Sequence, residues 1–283
     1  MSEPKLNILV AYPYWRNNMT PLLKSMSNKV RLLIDSGAFT AWKSGKPIDR
    51  KDYANFINEL PIKPWKYFSL DVIGDAKRTQ DNLAWFYANG YKPTPVFQRG
   101  EDFKLIPKYA ERTGMVGLGL GVGSKGTMNY LREAMKHTKG VNVHWLGIVR
   151  PQWITYYKPY SADTASVWGV RRWGAIELFE RGKIFSLISP WKKTGPPRSK
   201  KKPPKRIYNA IKALGVDPEV FQHRKAWTTD GTSVLVTTRS WVAYCREVEK
   251  RLGTKIFFGC GNDKNIKMLK EAWEWCEQNE TSF

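Results

Sequence analysis

Two aspartates, far apart in the chain, each occur at a short run that is predicted to be a strand. Asp35 begins the segment 35–39, which reads Asp-Ser-Gly-Ala-Phe and directly follows Leu32-Leu33-Ile34, and Asp163 lies in the run 160–166. Such runs are typical of buried strands. Two carboxylates at the ends of two strands can together break and remake a bond at the anomeric carbon of a sugar. The sequence therefore predicts Asp35 and Asp163 as catalytic residues.

Other polar residues and glycines follow the neighbouring apolar runs. In a barrel of parallel strands, residues at the carboxyl ends line one mouth, which makes these positions candidates for substrate binding. An aspartate after a strand is often only a turn residue or a helix cap, so the prediction depends on the whole set. The set comprises Ser36, Gly37 and Phe39 after the second run, Asp71 after the third, Gln98 after the fourth, Gly119 and Leu120 after the fifth, and Gly147 after the sixth.

Eight short apolar runs recur along the chain, and amphipathic helical stretches such as 49–60 separate most of them. Runs that are continuously apolar are typical of parallel strands buried on both faces. The alternation predicts an α/β fold, a (β/α)8 TIM barrel in a single catalytic domain over residues 1–283. The runs are Ile8–Tyr12, Leu32–Ile34, Tyr67–Leu70, Thr94–Phe97, Met115–Leu120, Val143–Ile148, 160–166 and Lys255–Gly259.

The charge balance indicates a polyanionic partner. The formal net charge is +22, from 47 Lys and Arg against 25 Asp and Glu, which favours nucleic acid; a charge that serves solubility or an anionic surface is the alternative. The stretch 169–253 is expected to be a basic insertion between the seventh and eighth barrel strands. We expect its basic residues to contact phosphates, although a merely solvated loop is the alternative: Lys192, Lys193, Arg198, Lys200, Lys201, Lys202, Lys205 and Arg206.

Composition excludes several classes of site. The 283 residues are 42% hydrophobic, which is enough for a sizeable core. The three cysteines include no Cys-x-x-Cys pair, and His137, His144 and His223 form no ligand cluster, so we expect no metal. Gly119–Gly123 does not match the phosphate-cradling Gly-x-x-x-x-Gly-Lys pattern, and we expect no cofactor. Since no apolar run reaches the length of a membrane span and no signal peptide is apparent, we expect a soluble, cytoplasmic protein without a membrane partner.

Five segments together resemble the tRNA-guanine transglycosylase family. Asp35–Phe39 resembles the family's Asp-Ser-Gly-Gly-Phe-Gln motif, Phe97–Gly100 its Gln-Gly-Gly turn, and Gly119–Gly123 its Gly-Leu-Ala-Val-Gly loop. His144–Ile148 is similar to its Leu-Met-Gly-Val segment, and Asp163 falls at the position of its nucleophilic aspartate. The order and rough spacing of all five agree.

Departures from the family pattern point to one branch of it. The Cys-x-Cys-x-x-Cys…His zinc site of the tRNA enzymes is missing, Ala38 replaces the second glycine, and Thr40 replaces the glutamine. Ser124 stands where bacterial enzymes carry a glutamate that reads an aminomethyl group. These features resemble the DpdA proteins, which insert 7-deazaguanine derivatives into DNA. The small size resembles their phage-encoded members, for which the host cytoplasm is the expected compartment.

The resemblance implies a double displacement. Asp163 would attack C1′ of a flipped-out deoxyguanosine in DNA, and Asp35 would manage the protons of the departing and arriving bases. Asp71 would accept from the guanine N1 and N2 edge, while Gln98 and the Gly119 amide would donate to O6. The expected partners are DNA and a small 7-deazaguanine base, preQ0 or a derivative of it.

Three other functions fit parts of the same pattern. A tRNA base-exchange enzyme would use the same carboxylates on another polyanion. A sugar hydrolase on a barrel would use the same acid pair with water as the acceptor. A non-catalytic nucleic-acid binder would use the charge and the aromatic residues. The identity of the inserted base, the DNA sequence context, the strandedness of the substrate and the oligomeric state stay open.

Overall fold

A computed structural model describes residues 3–26, 28–119, 126–180, 183–190 and 205–279. The strands are β1 Leu6–Ala11, β2 Val30–Asp35, β3 Lys66–Tyr67, β4 Val96–Phe97, β5 Met115–Leu118, β6 Asn142–Trp145, β7 Ser161–Thr164, β8 Ala175–Glu180, β9 Lys183–Ile188 and β10 Lys255–Gly259. The helices are α1 Met19–Ser25, α2 Ala38–Ser44, α3 Arg50–Glu59, α4 Ala76–Ala88, α5 Leu105–Ala110, α6 Thr127–Lys136, α7 Pro151–Tyr157, α8 Val170–Trp173, α9 Lys205–Ala213, α10 Arg224–Thr228, α11 Thr232–Leu252 and α12 Asp263–Asn279.

Eight strands form one parallel sheet, in the order β3-β2-β1-β10-β7-β6-β5-β4. Each of the eight runs predicted from the sequence overlaps one of these strands, so the expected α/β class with eight parallel strands is confirmed. An isolated parallel bridge pairs Phe68, directly after β3, with Thr94, just before β4. Because these residues adjoin the two outermost strands of the order, the sheet curls as in a TIM-like barrel.

Large apolar side chains fill the concave side of this sheet. Leu9, Leu33, Phe68, Val96, Met115 and Phe257 form one buried cluster. The Trp65 ring stacks on those of Tyr160 and Phe257, with centroids 6.0 and 5.4 Å apart. Gly117 lies against Phe68, since a Cβ there would be 2.9 Å from the ring. The interior is a packed core, and this packing fixes the strands whose carboxyl ends carry the candidate site residues.

Two aspartates of the sheet unit are helix caps. Asp49 precedes α3 and its side chain accepts from the amides of Lys51 and Asp52. Asp75 precedes α4 and accepts from the Arg78 amide at 2.9 Å. Each cap satisfies an amide of the first turn, which has no partner within the helix. Asp75, which lies close to Asp71 in the sequence, therefore has a structural role in starting α4.

The chain divides into two units. The sheet unit comprises Asn7–Thr164 and Leu252–Ile266, and the second unit comprises the described residues of Met1–Leu6, Ala165–Arg251 and Lys267–Phe283. The second unit has its own core, in which Trp227 packs edge-on against Phe221 and donates to its carbonyl oxygen at 2.7 Å. It also contains the antiparallel hairpin β8–β9, which the sequence analysis missed. The single domain with an insertion at 169–253 stays a prediction.

Only two of the eight basic residues expected to bind phosphate lie in described segments. Lys205 and Arg206 begin α9. The Arg206 guanidinium is paired with the Glu180 carboxylate and lies over the Phe185 ring at 4.7 Å. Lys192, Lys193, Arg198, Lys200, Lys201 and Lys202 lie outside the described residues. Among the described helices, none is both long enough and apolar enough to cross a membrane.

Candidate active site

Asp35 is the last residue of β2, and a tight turn fixes its carboxylate. Its Oδ2 accepts from the Gly37 amide at 2.9 Å. Gly37 has a φ of +85° in the left-handed region, and a Cβ at this position would lie 2.4 Å from the Pro13 ring. Any other residue would therefore be strained and would collide with Pro13. The turn connects β2 to α2 without covering Asp35, which stays partly exposed.

Asp71 lies at the centre of a second set of hydrogen bonds. The buried Ser36 hydroxyl donates to its Oδ1 at 3.0 Å, and the buried Gln98 side-chain amide donates to its Oδ2 at 3.0 Å. The two donors come from the ends of β2 and β4, so three strand ends meet at one carboxylate. Each carboxylate oxygen has a second lone pair. Asp71 therefore keeps acceptor capacity for a ligand while its orientation is held.

Asp163, within β7, is held through one oxygen. Its Oδ1 accepts from the Gly147 amide at 2.8 Å and from His144 Nε2 at 3.1 Å. Gly147 follows β6 with a φ of +72°, a conformation that a glycine adopts without strain. Oδ2 of Asp163 receives no hydrogen bond from any residue that the structure describes, and the side chain is 14% exposed. One carboxylate oxygen is thus anchored while the other is available for attack on an electrophile.

His144 is a site residue that the sequence analysis missed. The side chain is fully buried, and the Phe68 and Phe257 rings lie 5.0 and 6.0 Å from the imidazole. Nε2 must carry a proton because the Asp163 oxygen only accepts, and in a neutral ring Nδ1 then accepts from the Ser161 hydroxyl, 2.8 Å away. Packing and both hydrogen bonds fix the ring. His144 is therefore suited to position Asp163.

Burial and neighbouring charges raise the pKa of Asp35, and burial raises that of Asp71. Burial is the main cause that raises the pKa of Asp35 from 3.8 to about 7, the charge of Asp71 raises it further, and Asp163 contributes less. The Gly37 and Ser36 amides oppose this increase by donating to the charged form. Burial also raises the pKa of Asp71, against the hydrogen bonds from Ser36, its own amide and Gln98. Asp35 is consequently poised to give and take a proton near neutral pH.

A half-buried carboxylate, Glu101, holds the end of β4 and was not predicted from the sequence. It accepts from the Gln98 amide through Oε2, and through Oε1 from the Gln80 amide group and the Tyr109 hydroxyl, both at 2.6 Å. Burial, followed by the interaction with Glu101, raises the pKa of the Tyr109 hydroxyl, which therefore stays a donor. Glu101 thus fixes the backbone from which Gln98 reaches Asp71.

One predicted interaction at β5 does not occur in the structure. The Gly119 amide donates to the Phe97 carbonyl at 2.8 Å, as part of the β4–β5 ladder, so it is not available to a purine O6. Gly119 instead leaves room for Gln98, because a Cβ there would lie 3.4 Å from the Gln98 nitrogen. Leu120 lies outside the described residues. Phe39 is on α2 and 52% exposed.

No family model, curated protein or solved structure matches this chain. Among the described residues, no group of three or more His, Cys, Asp or Glu side chains is placed to hold a metal ion. The structure brings Asp35, Ser36, Asp71 and Gln98 into one hydrogen-bonded and electrostatic neighbourhood with Asp163. The arrangement offers a carboxylate with one available oxygen and a second carboxyl that titrates near neutral pH.

Proposed function

We propose that this protein is a DNA-guanine transglycosylase of the DpdA type, which replaces guanine in DNA by a 7-deazaguanine base on a (β/α)8 barrel. The observation that carries the proposal is the asymmetry of Asp163. Its Oδ1 is held by His144 and Gly147, whereas its Oδ2 receives no hydrogen bond from the described residues, and Asp35, which interacts with it electrostatically, has a pKa near 7. A nucleophile and an acid with these properties suit base exchange through a covalent intermediate.

In the first displacement, Oδ2 of Asp163 attacks C1′ of the nucleotide as the bond from C1′ to the purine N9 breaks. The bonding pair leaves with guanine, which takes a proton from Asp35, and a glycosyl ester on Asp163 remains. Asp35 is then ionised. A carboxyl with a pKa near 7 can act as the acid here and as the base in the next step.

In the second displacement, a 7-deazaguanine base enters from the side that guanine has left. Its N9 proton passes to Asp35, N9 attacks C1′, and the ester bond breaks to regenerate the Asp163 carboxylate. The two inversions give net retention at C1′. The protein therefore ends the cycle with the protonation state in which it began, and no external oxidant, reductant or energy source is required.

Asp71 and Gln98 suit recognition of the guanine edge that both bases share. The remaining acceptor capacity of Asp71 would serve the N1–H and N2 edge of guanine, and the second proton of the Gln98 Nε2 would donate to O6. Because these groups are already oriented by Ser36 and by each other, a purine that lacks the complementary edge would leave them unpaired. Each unpaired buried group costs about 1–3 kcal/mol.

A base inside a duplex cannot reach a site at the mouth of a barrel, so the target nucleotide must flip out, at a cost of a few kcal/mol. The net charge of +22 would offset this cost through phosphate contacts. The absence of the family's zinc motif favours DNA over tRNA as the polyanion.

The test is to incubate the protein with duplex DNA, single-stranded DNA or tRNA, together with preQ0 or related 7-deazaguanines, and to identify the nucleosides by mass. We expect a 7-deazaguanine nucleoside in DNA with the wild type and with Asp81→Asn, a matched change at an exposed aspartate of α4. We expect none with Asp163→Asn. Modified tRNA alone would assign the tRNA reaction instead, and guanine release without incorporation would show a hydrolase.

A further inference from the structure

The outward face of α2 carries an exposed aromatic pair beside the candidate active site. Phe39 and Trp42 are each 52% exposed, and their rings are stacked with centroids 6.0 Å apart at 30°. Lys43 follows on the same face and is also exposed. Because these two large rings are exposed, they do not contribute the stabilisation that their burial would supply. The pair is therefore a candidate for binding rather than for folding.

The rest of α2 is fixed to its own unit, so the aromatic pair has a rigid base. Gly37, at the start of the helix, packs against Pro13, and the Thr40 hydroxyl donates to the Tyr14 hydroxyl at 3.3 Å. Thr40, Ala41 and Ser44 face the other way and line a groove of about 570 Å³ in the sheet unit. The two faces of α2 are thus distinct, and the outward face presents Phe39, Trp42 and Lys43.

We propose that Trp42, together with Phe39, stacks the nucleobase that neighbours the flipped-out nucleotide. This inference takes the nucleic-acid partner from the proposed function but does not depend on the base-exchange chemistry. Aromatic side chains next to cations are the usual platform for the bases of a single strand. Helix α2 contains Lys43 and no acid, which suits a polyanion. Because α2 follows β2 directly after the turn at Asp35, the aromatic pair lies at the same end of β2 as the candidate active site.

The experiment measures binding separately from turnover. All variants carry Asp163→Asn, and the probe is a single-stranded oligonucleotide with 2-aminopurine next to the target guanine. We expect quenching of the 2-aminopurine fluorescence on binding, a loss of that quenching in Trp42→Ala, and a weakening of affinity by about 5- to 100-fold. Trp42→Phe should retain most of the affinity, because an aromatic ring is kept. Trp173→Ala, at a 74% exposed tryptophan of the second unit, is the matched control and should behave as the parent.

Equal affinity and equal quenching in the Trp42→Ala and Trp173→Ala variants would overturn the inference. A change of sedimentation in Trp42→Ala without any change in oligonucleotide binding would overturn it too, and would assign the pair to self-association. Because Trp42 is exposed, thermal unfolding should be unchanged, and this measurement guards against a folding defect. Stacking without base exchange in the otherwise wild-type protein would contradict only the proposed function, so the two failures are distinguishable.

Discussion

The imidazole of His144 donates from Nε2 to Oδ1 of Asp163 at 3.1 Å, and the opposite ring nitrogen is 2.8 Å from the Ser161 hydroxyl. The carboxylate, which only accepts, requires the proton on Nε2, and the serine hydroxyl can donate to the other ring nitrogen in that tautomer. The Gly147 amide donates to the same oxygen, Oδ1 of Asp163. Oδ2 is therefore the oxygen that can contact a substrate. In the proposed reaction His144 contacts Asp163 but not the substrate, so it is a positioning residue.

We predict that His144→Phe lowers the rate of base exchange by about 10- to 100-fold with little change in DNA affinity, because one donor to Asp163 is removed while an aromatic ring is kept. His144→Gln can restore a side-chain N–H and should recover part of the rate. Single-turnover kinetics and a DNA titration separate the two effects. Equal reductions in His144→Phe and His144→Gln would point to packing alone.

The raised pKa of Asp35 makes both activity and stability depend on pH. Guanine release requires the protonated acid, so its single-turnover rate should fall as pH rises through about 7. Asp35→Asn should be much slower and should lack this profile, since an amide does not titrate. A rate that stays flat from pH 6 to 8 in the wild type would remove Asp35 from the acid role.

The ionisation of Asp35 also makes the free energy of unfolding depend on pH. Its pKa is about 7 when folded and 3.8 ordinarily, so the folded state binds the proton more tightly. The stabilisation from this proton is complete below about pH 4 and disappears as pH rises through about 7. Asp35→Asn should therefore be more stable than the wild type at pH 8, by on the order of 2 kcal/mol after discounting for partial exposure, and the gap should close near pH 4. Denaturant unfolding at both pH values measures it.

Asp71 and Asp75 form a matched pair for testing base recognition. Asp71→Asn should raise the KM for the incoming base by about tenfold or more with a smaller effect on kcat, because fewer acceptor sites remain for the guanine edge. Asp75→Asn keeps a capping oxygen for α4, and Asp75→Ala should lower stability by about 1 kcal/mol without changing KM. Steady-state kinetics with varied base check both. Indistinguishable KM values in the Asp71 and Asp75 variants would place recognition elsewhere.

Salt dependence tests the basic segment. Replacement of Lys200, Lys201 and Lys202 by glutamine should weaken DNA binding and reduce the slope of log K against log salt by about 0.9 for each phosphate that the variant no longer neutralises. Arg206→Gln should have a smaller effect, because this guanidinium already pairs with Glu180. Lys136→Gln, at a lysine paired with Glu133, is the control. An unchanged slope in the triple variant would exclude the segment from the DNA interface.

Most of the eight strands were predictable because they overlap apolar runs, although β7 itself reads Ser-Ala-Asp-Thr. The residues after the strands were predictable because parallel strands end at one edge. His144 was not predicted, since it lies inside the apolar run of β6. His144 lies opposite Ser161 in the register of β6 and β7, and buried polar side chains require hydrogen-bond partners. A polar residue at each of these paired positions is the signal that could have identified His144. The expected donation from the Gly119 amide to a purine O6 was wrong, because the sequence of a strand does not show which of its amides bond to the neighbouring strand. The β8–β9 hairpin was missed because its strand residues are only partly apolar.

In the proposed reaction, Asp163 forms a covalent bond to the sugar. The most direct measurement is peptide mass mapping of the wild-type protein, quenched by acid during turnover on DNA without an added 7-deazaguanine. We expect a deoxyribosyl-linked nucleotide on the peptide that carries Asp163, absent in Asp163→Asn and removed when the incoming base is supplied. Release of guanine with no adduct on any peptide, or an adduct on Asp35 instead, would contradict it.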